Sequence, residues 1–318
     1  MTTYAADLAA VRDAAQRIAS VAHRTPMATC ATLDALAGRS LFFKCEQLQK
    51  VGAFKFRGAA NAVMKLSDDA AARGVVTHSS GNHAQALALA AKLRGIPAHI
   101  VMPRNASPVK LRAVEGYGAR VIACEPTLSA RASTAAAVVS ETGATLIHPY
   151  NNPDIIAGQG TAALELMEQV PQLDAIIAPV GGGGLLAGTA IAAKGLSPSI
   201  RIIAGEPEGA DDAARSLAAG TLIPQTAPNT LADGLLTGLG ELTWPIIRDH
   251  VERVVTVSDA QIVAAMRLAW ERAKLLIEPS AAVALAVALS EEFKALRDLN
   301  RVGIVLSGGN VDLDHLPW

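Results

Sequence analysis

Apolar positions along this chain fall into short runs separated by longer stretches rich in alanine and leucine. The short runs predict strands at Leu41–Lys44, Val75–His78, Ala98–Val101, Arg120–Ala123, Thr145–Ile147, Ala175–Pro179, Arg201–Ala204 and Val302–Leu306. The longer stretches predict helices over Lys55–Lys65, Ala84–Leu93, Pro108–Glu115, Leu128–Glu141, Gly158–Gln169, Leu185–Ala193, Asp259–Arg272 and Ser280–Glu292. Near the start, Asp7, Arg12, Asp13 and Arg17 interrupt apolar residues at helical spacing, which reads as an amphipathic helix rather than a signal segment. Strand–helix alternation of this kind predicts an α/β fold of two parallel-type open sheets flanked by helices. With no internal repeat and no low-complexity linker, the expected division is interwoven. Residues 1–73 and 148–318 form a larger unit, and residues 74–147 form a smaller, mobile one.

Composition narrows the function. Of 318 residues, 51% are hydrophobic, ample for a substantial core, and the formal charge is −1. No basic block appears and aromatics make up 3%, so nucleic-acid binding has no electrostatic or stacking footprint. Cys30, Cys45 and Cys124 are scattered, without metal-ligand spacing, and fit a reducing cytosol. Asn105-Ala106-Ser107 matches a glycosylation acceptor by chance in a chain with no other sign of secretion. Residues Ala175 to Ala193 carry no charge and approach the length of a membrane span. Pro179 and four successive glycines in the middle argue instead for strand, loop and helix.

Candidate chemistry begins with Lys55. An arbitrary lysine is solvated, but this one sits between Phe54 and Phe56 and is bracketed by Gly52 and Gly58. Partial burial would lower its pKa and leave a nucleophilic amine. Gly181, Gly182, Gly183 and Gly184 follow an apolar strand and precede a helix. Successive bare amides there attract a phosphate, and four glycines are costly for a mere turn. No dinucleotide fingerprint and no P-loop pattern is present. A nucleophilic lysine with a glycine phosphate cradle is what an enzyme needs to hold pyridoxal 5'-phosphate (PLP).

Ser79-Ser80-Gly81-Asn82-His83 also follows a strand and opens a helix, where amides and hydroxyls could bind a carboxylate. His83 alone reads as structural. Ser307-Gly308-Gly309-Asn310 ends the last strand, either as a plain turn or with the Ser307 hydroxyl on a cofactor ring nitrogen. Glu206, Asp211 and Asp212 could ligate a hard cation, although spacing alone favours a solvated acidic loop. Arg131 reads first as an exposed helix arginine, and second as a fork for a distal substrate carboxylate.

From about Leu41 to Val311 the chain resembles the fold type II PLP enzymes, in particular the serine racemase and serine/threonine dehydratase family. The segments FFKCEQLQKVGAFKFRGA, VTHSSGNHAQAL, IAGQGT, PVGGGGLLAG, WERAKLLIEPSA and VLSGGNVDL carry the resemblance. It implies Lys55 as the Schiff-base lysine, Phe54 behind the ring, Asn82 at the ring oxygen, Gly181 to Gly184 on the phosphate and Ser307 at the pyridine nitrogen. It places Ser79, Ser80, Asn82 and His83 on the substrate carboxylate. Ser80 is implied as the acid/base opposite Lys55, because racemases carry a hydroxyl there. A divalent cation (magnesium, calcium or manganese) would lie on Glu206, the Ala210 carbonyl and Asp212. Departures are Tyr150, where mammalian racemases have asparagine, and Thr237, which replaces a serine near the substrate. Cys30 and Ala31 stand where those enzymes have hydroxyl residues near a nucleotide-activation site.

The implied activity is an ammonia-lyase that eliminates water from a β-hydroxy-α-amino acid, giving a keto acid and ammonia. Arg131 favours 3-hydroxyaspartate over serine and threonine. The alternative is a serine racemase that also dehydrates serine. A β-replacement synthase and a non-enzymatic sensor built on the same glycine loops stay open. The implied setting is a cytoplasmic homodimer acting on a small amino acid, with neither nucleic acid nor membrane as partner.

Overall fold

A computed structural model describes residues 4–106 and 108–318; Ser107 of the glycosylation match lies outside the described residues. The strands are β1 (Met27–Ala28), β2 (Ser40–Cys45), β3 (Val75–His78), β4 (Ala98–Pro103), β5 (Arg120–Cys124), β6 (Thr145–Leu146), β7 (Ala175–Pro179), β8 (Arg201–Pro207), β9 (Arg253–Val257) and β10 (Arg301–Leu306). They form a six-stranded sheet in the order β1-β2-β10-β7-β8-β9 and a four-stranded sheet in the order β5-β4-β3-β6. All pairings are parallel except the short β1–β2 edge. Strand β10 therefore closes the middle of the larger sheet, between β2 from the start of the chain and β7.

Strands covered on both faces need continuous apolar runs rather than alternation. All five residues of β7 and all six of β4 are buried. The following helix, Gly184–Leu196, is buried from Gly184 to Ala193, which accounts for the charge-free stretch 175–193. No helix among the described residues is long and apolar enough to cross a membrane.

Two expectations need correction. The run predicted as one helix over Asp259–Arg272 is α-helical only to Leu268. It then widens into a π-turn, Ala269–Ala273, and ends on Lys274 in the left-handed region. The predicted Ser280–Glu292 helix breaks at Ser290, whose extended backbone caps a new short helix, Glu291–Lys294. Strand β9 was not predicted, because Arg253 and its half-buried edge position mask the apolar run.

Helix Lys55–Lys65 packs on helices Asn82–Arg94 and Pro153–Gln169. The second contact is backbone-close, since a β-carbon on Gly158 would lie 2.6 Å from the Cα of Gly58. Directly beneath the start of Lys55–Lys65 lies a buried charge cluster. Arg57, wholly buried, donates to both carboxylate oxygens of Glu46 at 2.7 and 2.8 Å and to those of Glu165 at 2.7 and 2.9 Å. Lys44 donates to Glu165, Gln169 and the Thr25 carbonyl. Removing any one partner would strand a buried charge, so the cluster is costly to break and ties the first turn of this helix to Glu46 and Glu165.

Candidate active site

Lys55 opens its helix two residues from that cluster. Its neighbour Phe54 is tied to the end of β10, donating its amide to the Ser307 carbonyl at 3.0 Å, and Ala53 bridges to Gly308. The lysine thus stands where the first and last strands of the central pairing end together. Its side chain is half-buried, and its Nζ donates to the Pro149 carbonyl at 3.0 Å. Burial lowers the amine pKa to about 8, against the pull of the Glu278 carboxylate. The positive end of its own helix acts in the same direction.

A cavity of about 340 Å³ opens over this amine between the two sheets. Phe54, Gly181 to Gly184 and Ser307 line it together with Lys55, so every residue proposed for the cofactor converges there, Asn82 included. Gly183 has φ 85°, the left-handed region, and caps helix Gly184–Leu196. A β-carbon on Gly182 would lie 2.3 Å from the Tyr150 ring. This bare loop at a helix N-terminus presents main-chain amides to the cavity in space that side chains would fill, an arrangement that suits an anion.

Ser79, Ser80, Asn82, His83, Arg131 and Thr237 line the same cavity. Asn82 is engaged: its Nδ2 donates to Glu278 at 2.9 and 3.2 Å, and its Oδ1 accepts from Asn310. The His83 ring is buried and bonds through Nε2 to the Ile147 carbonyl, and burial holds it well below the usual histidine pKa. That supports the structural reading of its side chain. Arg131 is not the exposed helix residue that spacing suggests. It is half-buried, and its Nε is buried without a hydrogen-bond partner. Burial, then the Arg131 guanidinium, keeps the neighbouring His78 below its usual pKa.

Several cavity residues were not foreseen. Glu278 is buried beneath the cavity, accepting from Asn82 and from the Asn310 amide at 3.0 Å. Burial, then Asp233, raises its pKa to about 7. The only sequence signal was an acid between Ile277 and Pro279 at the head of an apolar helix. Lys110 and Asp233 meet at 2.6 Å across the cavity wall. Tyr150, quoted only as a departure, is the surface on which the glycine loop rests.

The acidic cluster is not the solvated loop that spacing favours. Glu206 and Asp212 are buried. Glu206 accepts from the Ala213 and Ala214 amides, and burial raises its pKa to about 8. Asp212 accepts from the Leu239 amide through Oδ2, while its Oδ1 is buried without a partner, and burial raises its pKa to about 6. Asp211 turns away to pair with Arg215. Two buried carboxylates with an orphaned oxygen fit a hard cation. However, no group of three or more His, Cys, Asp or Glu converges among the described residues.

Comparison with known proteins places this geometry. The family model described as pyridoxal-phosphate dependent enzyme matches residues 18–308. The chain is 55% identical to a serine racemase of Arabidopsis thaliana, over 98% of this chain and 96% of that one. It is 52% identical to a β-hydroxyaspartate dehydratase of Paracoccus denitrificans (strain Pd 1222), over 95% of this chain and 96% of the relative. The solved structure of maize serine racemase superposes with a TM-score of 0.97 at 54% identity, covering 98% of this chain and 95% of the other. The open parallel sheets, the enclosed lysine and the unadorned glycine loop are thus those of a family, and this chain belongs to the pyridoxal-phosphate-dependent enzymes.

Proposed function

We propose that this enzyme is a hydroxy-amino-acid ammonia-lyase that eliminates water from 3-hydroxyaspartate in preference to serine or threonine. The observation that carries this reading is Arg131, whose guanidinium lines the cavity of Lys55 with its Nε buried and unpartnered. A buried unsatisfied donor is costly, and a second substrate carboxylate would satisfy it. The similarity to a β-hydroxyaspartate dehydratase agrees.

In this reading Lys55 holds the cofactor aldehyde, Phe54 backs the ring, and the amides of Gly181 to Gly184 hold the phosphate. Ser307 would hold the ring nitrogen, and Asn82 would hold the ring oxygen by turning an amide hydrogen from Glu278. When bound, PLP supplies an electron sink that makes the substrate Cα acidic. The Ser307 hydroxyl, in place of a carboxylate, would leave that nitrogen without an enforced proton, which suits loss of a β-substituent. Ser79, Ser80, Asn82 and the amide of His83 orient the α-carboxylate, with Thr237 beside it. Lys55, whose amine pKa burial lowers to about 8, would be the group that takes the Cα proton. Ser80, in the same cavity, would supply the proton with which the β-hydroxyl leaves as water.

The second reading is serine racemase, favoured by Ser80, which lines the cavity together with Lys55. A hydroxyl opposite the lysine can return a proton to the other face of Cα. We assign a divalent cation to Glu206, Asp212 and the Ala210 carbonyl, residues 74–147 to a unit that closes on substrate, and the whole to a cytoplasmic homodimer.

Keto-acid release from serine, threonine and each 3-hydroxyaspartate isomer, with and without magnesium, tests the reading. A serine-to-hydroxyaspartate ratio of kcat/KM above one would overturn the substrate assignment. For the second reading, racemisation undiminished in Ser80→Ala would remove Ser80 as the second acid/base.

A further inference from the structure

The segment His148–Asn151 touches the lysine, the glycine loop and the Thr237–Thr243 segment together. The Pro149 carbonyl accepts from Lys55 Nζ at 3.0 Å. The Tyr150 ring lies against Gly182, and the Cβ and main chain of Tyr150 lie against Gly184. Asn151 Oδ1 accepts from the Leu242 amide at 2.8 Å. One side chain holds this turn together. His148 Nδ1 faces the amides of Tyr150 at 3.3 Å and Asn151 at 2.9 Å, so it accepts and its proton sits on Nε2. The His148 ring also packs edge-on against His78, at 5.4 Å, and Tyr150, at 4.6 Å. It does not line the cavity.

We propose that His148 is a positioning residue for the cofactor lysine: its ring nitrogen shapes the turn that presents the Pro149 carbonyl to Lys55 and the Tyr150 ring to the glycine loop. The proposal rests on the reading of Lys55 as the cofactor lysine. The groups facing the ring favour the neutral form that the role requires. Burial, then the nearby His78 and Lys55, pushes its pKa down to about 4, and His83 stands on the same side. A proton on Nδ1 would turn the acceptor into a donor and break both amide contacts.

The test uses two substitutions that divide the imidazole between them. Asparagine places an oxygen where Nδ1 lies, and glutamine places its polar end near Nε2 instead. PLP is added to the apoenzyme, and the rate of covalent capture is followed by absorbance against pH, with borohydride trapping and peptide mapping to locate the lysine. In His148→Asn the pH midpoint of capture stays at the wild-type value. In His148→Gln it falls by about one pH unit, the tenfold change expected when the lysine ammonium loses one hydrogen-bond acceptor. Equal midpoints in the two variants, shifted or not, overturn the proposal. Capture that persists in Lys55→Ala overturns the lysine assignment and the proposal with it. Loss of capture in Lys55→Ala together with equal midpoints in the His148 pair overturns the proposal alone.

Discussion

Gly182 lies under Tyr150 so closely that a β-carbon on the glycine would meet the ring Cδ1 and Cγ at 2.3 Å. The aromatic ring by itself forbids a side chain at this point of the loop. Gly182→Ala should destabilise the protein by about 1–3 kcal/mol through overpacking, and weaken PLP retention. In the double variant with Tyr150→Ala the penalty should shrink by at least about 0.5 kcal/mol, because the two sites are in contact. Denaturant unfolding of the four proteins of this cycle measures the coupling. Strict additivity would show that the loop is constrained by something other than Tyr150.

Lys55 should destabilise the apoenzyme. Its pKa in the fold is about 8, against 10.5 when exposed. Below pH 8 the amine is protonated in both states, and the fold carries the full cost of a poorly solvated ammonium. Between pH 8 and 10.5 the folded form is neutral while the unfolded form is still charged, so stability rises with pH. Lys55→Met is therefore expected to be more stable than wild type at pH 7 by about 1–2 kcal/mol, partial solvent screening included. The gain should fade toward pH 10.5. Chemical denaturation of both apoproteins at several pH values reads the difference; a gain that grows with pH would contradict the lowered amine.

Arg131 predicts a substrate-dependent loss. Arg131→Ala should lower kcat/KM for 3-hydroxyaspartate about 10- to 150-fold, the worth of a charge-assisted hydrogen-bonded pair, and for serine by a few-fold at most. Steady-state kinetics on both substrates decides it. Equal losses would mean that the arginine shapes the cavity without reading a second carboxylate.

The buried Glu206–Asp212 pair predicts cation dependence. Millimolar magnesium or calcium should raise the apparent melting temperature by about 2–5 °C above a sodium chloride control of equal ionic strength. Asp212→Asn should abolish the rise, because Oδ1 then lacks the charge that draws the ion. An equal rise in the variant would place any bound cation elsewhere.

The sequence carried the fold where local chemistry is decisive. Runs such as Ala175–Pro179 are apolar because both faces are covered, and four adjacent glycines have few uses besides a bare loop. Lys55 was legible for the same reason, as one charge among aromatic and glycine neighbours. What stayed hidden depends on partners distant along the chain. Glu278 takes its meaning from Asn82, 196 residues away, and Arg57 from Glu165, 108 residues away. Neither pairing leaves a periodicity. Asp212 misled for the complementary reason: an acidic loop reads as solvated until the Leu239 amide is seen to cover it. The His148 turn has no motif at all, since its working parts are a ring nitrogen and a main-chain carbonyl.

The interlock between Phe54 and Ser307 has a bearing on biosynthesis. The lysine emerges from the ribosome about 250 residues before the strand that pins its neighbour in place. Until β10 slides between β2 and β7, the two halves of the larger sheet have no common seam. A nascent chain halted before residue 301 therefore lacks both the strand that joins β2 to β7 and the carbonyl that pins Phe54, so the seat of the lysine is completed only by the final strand.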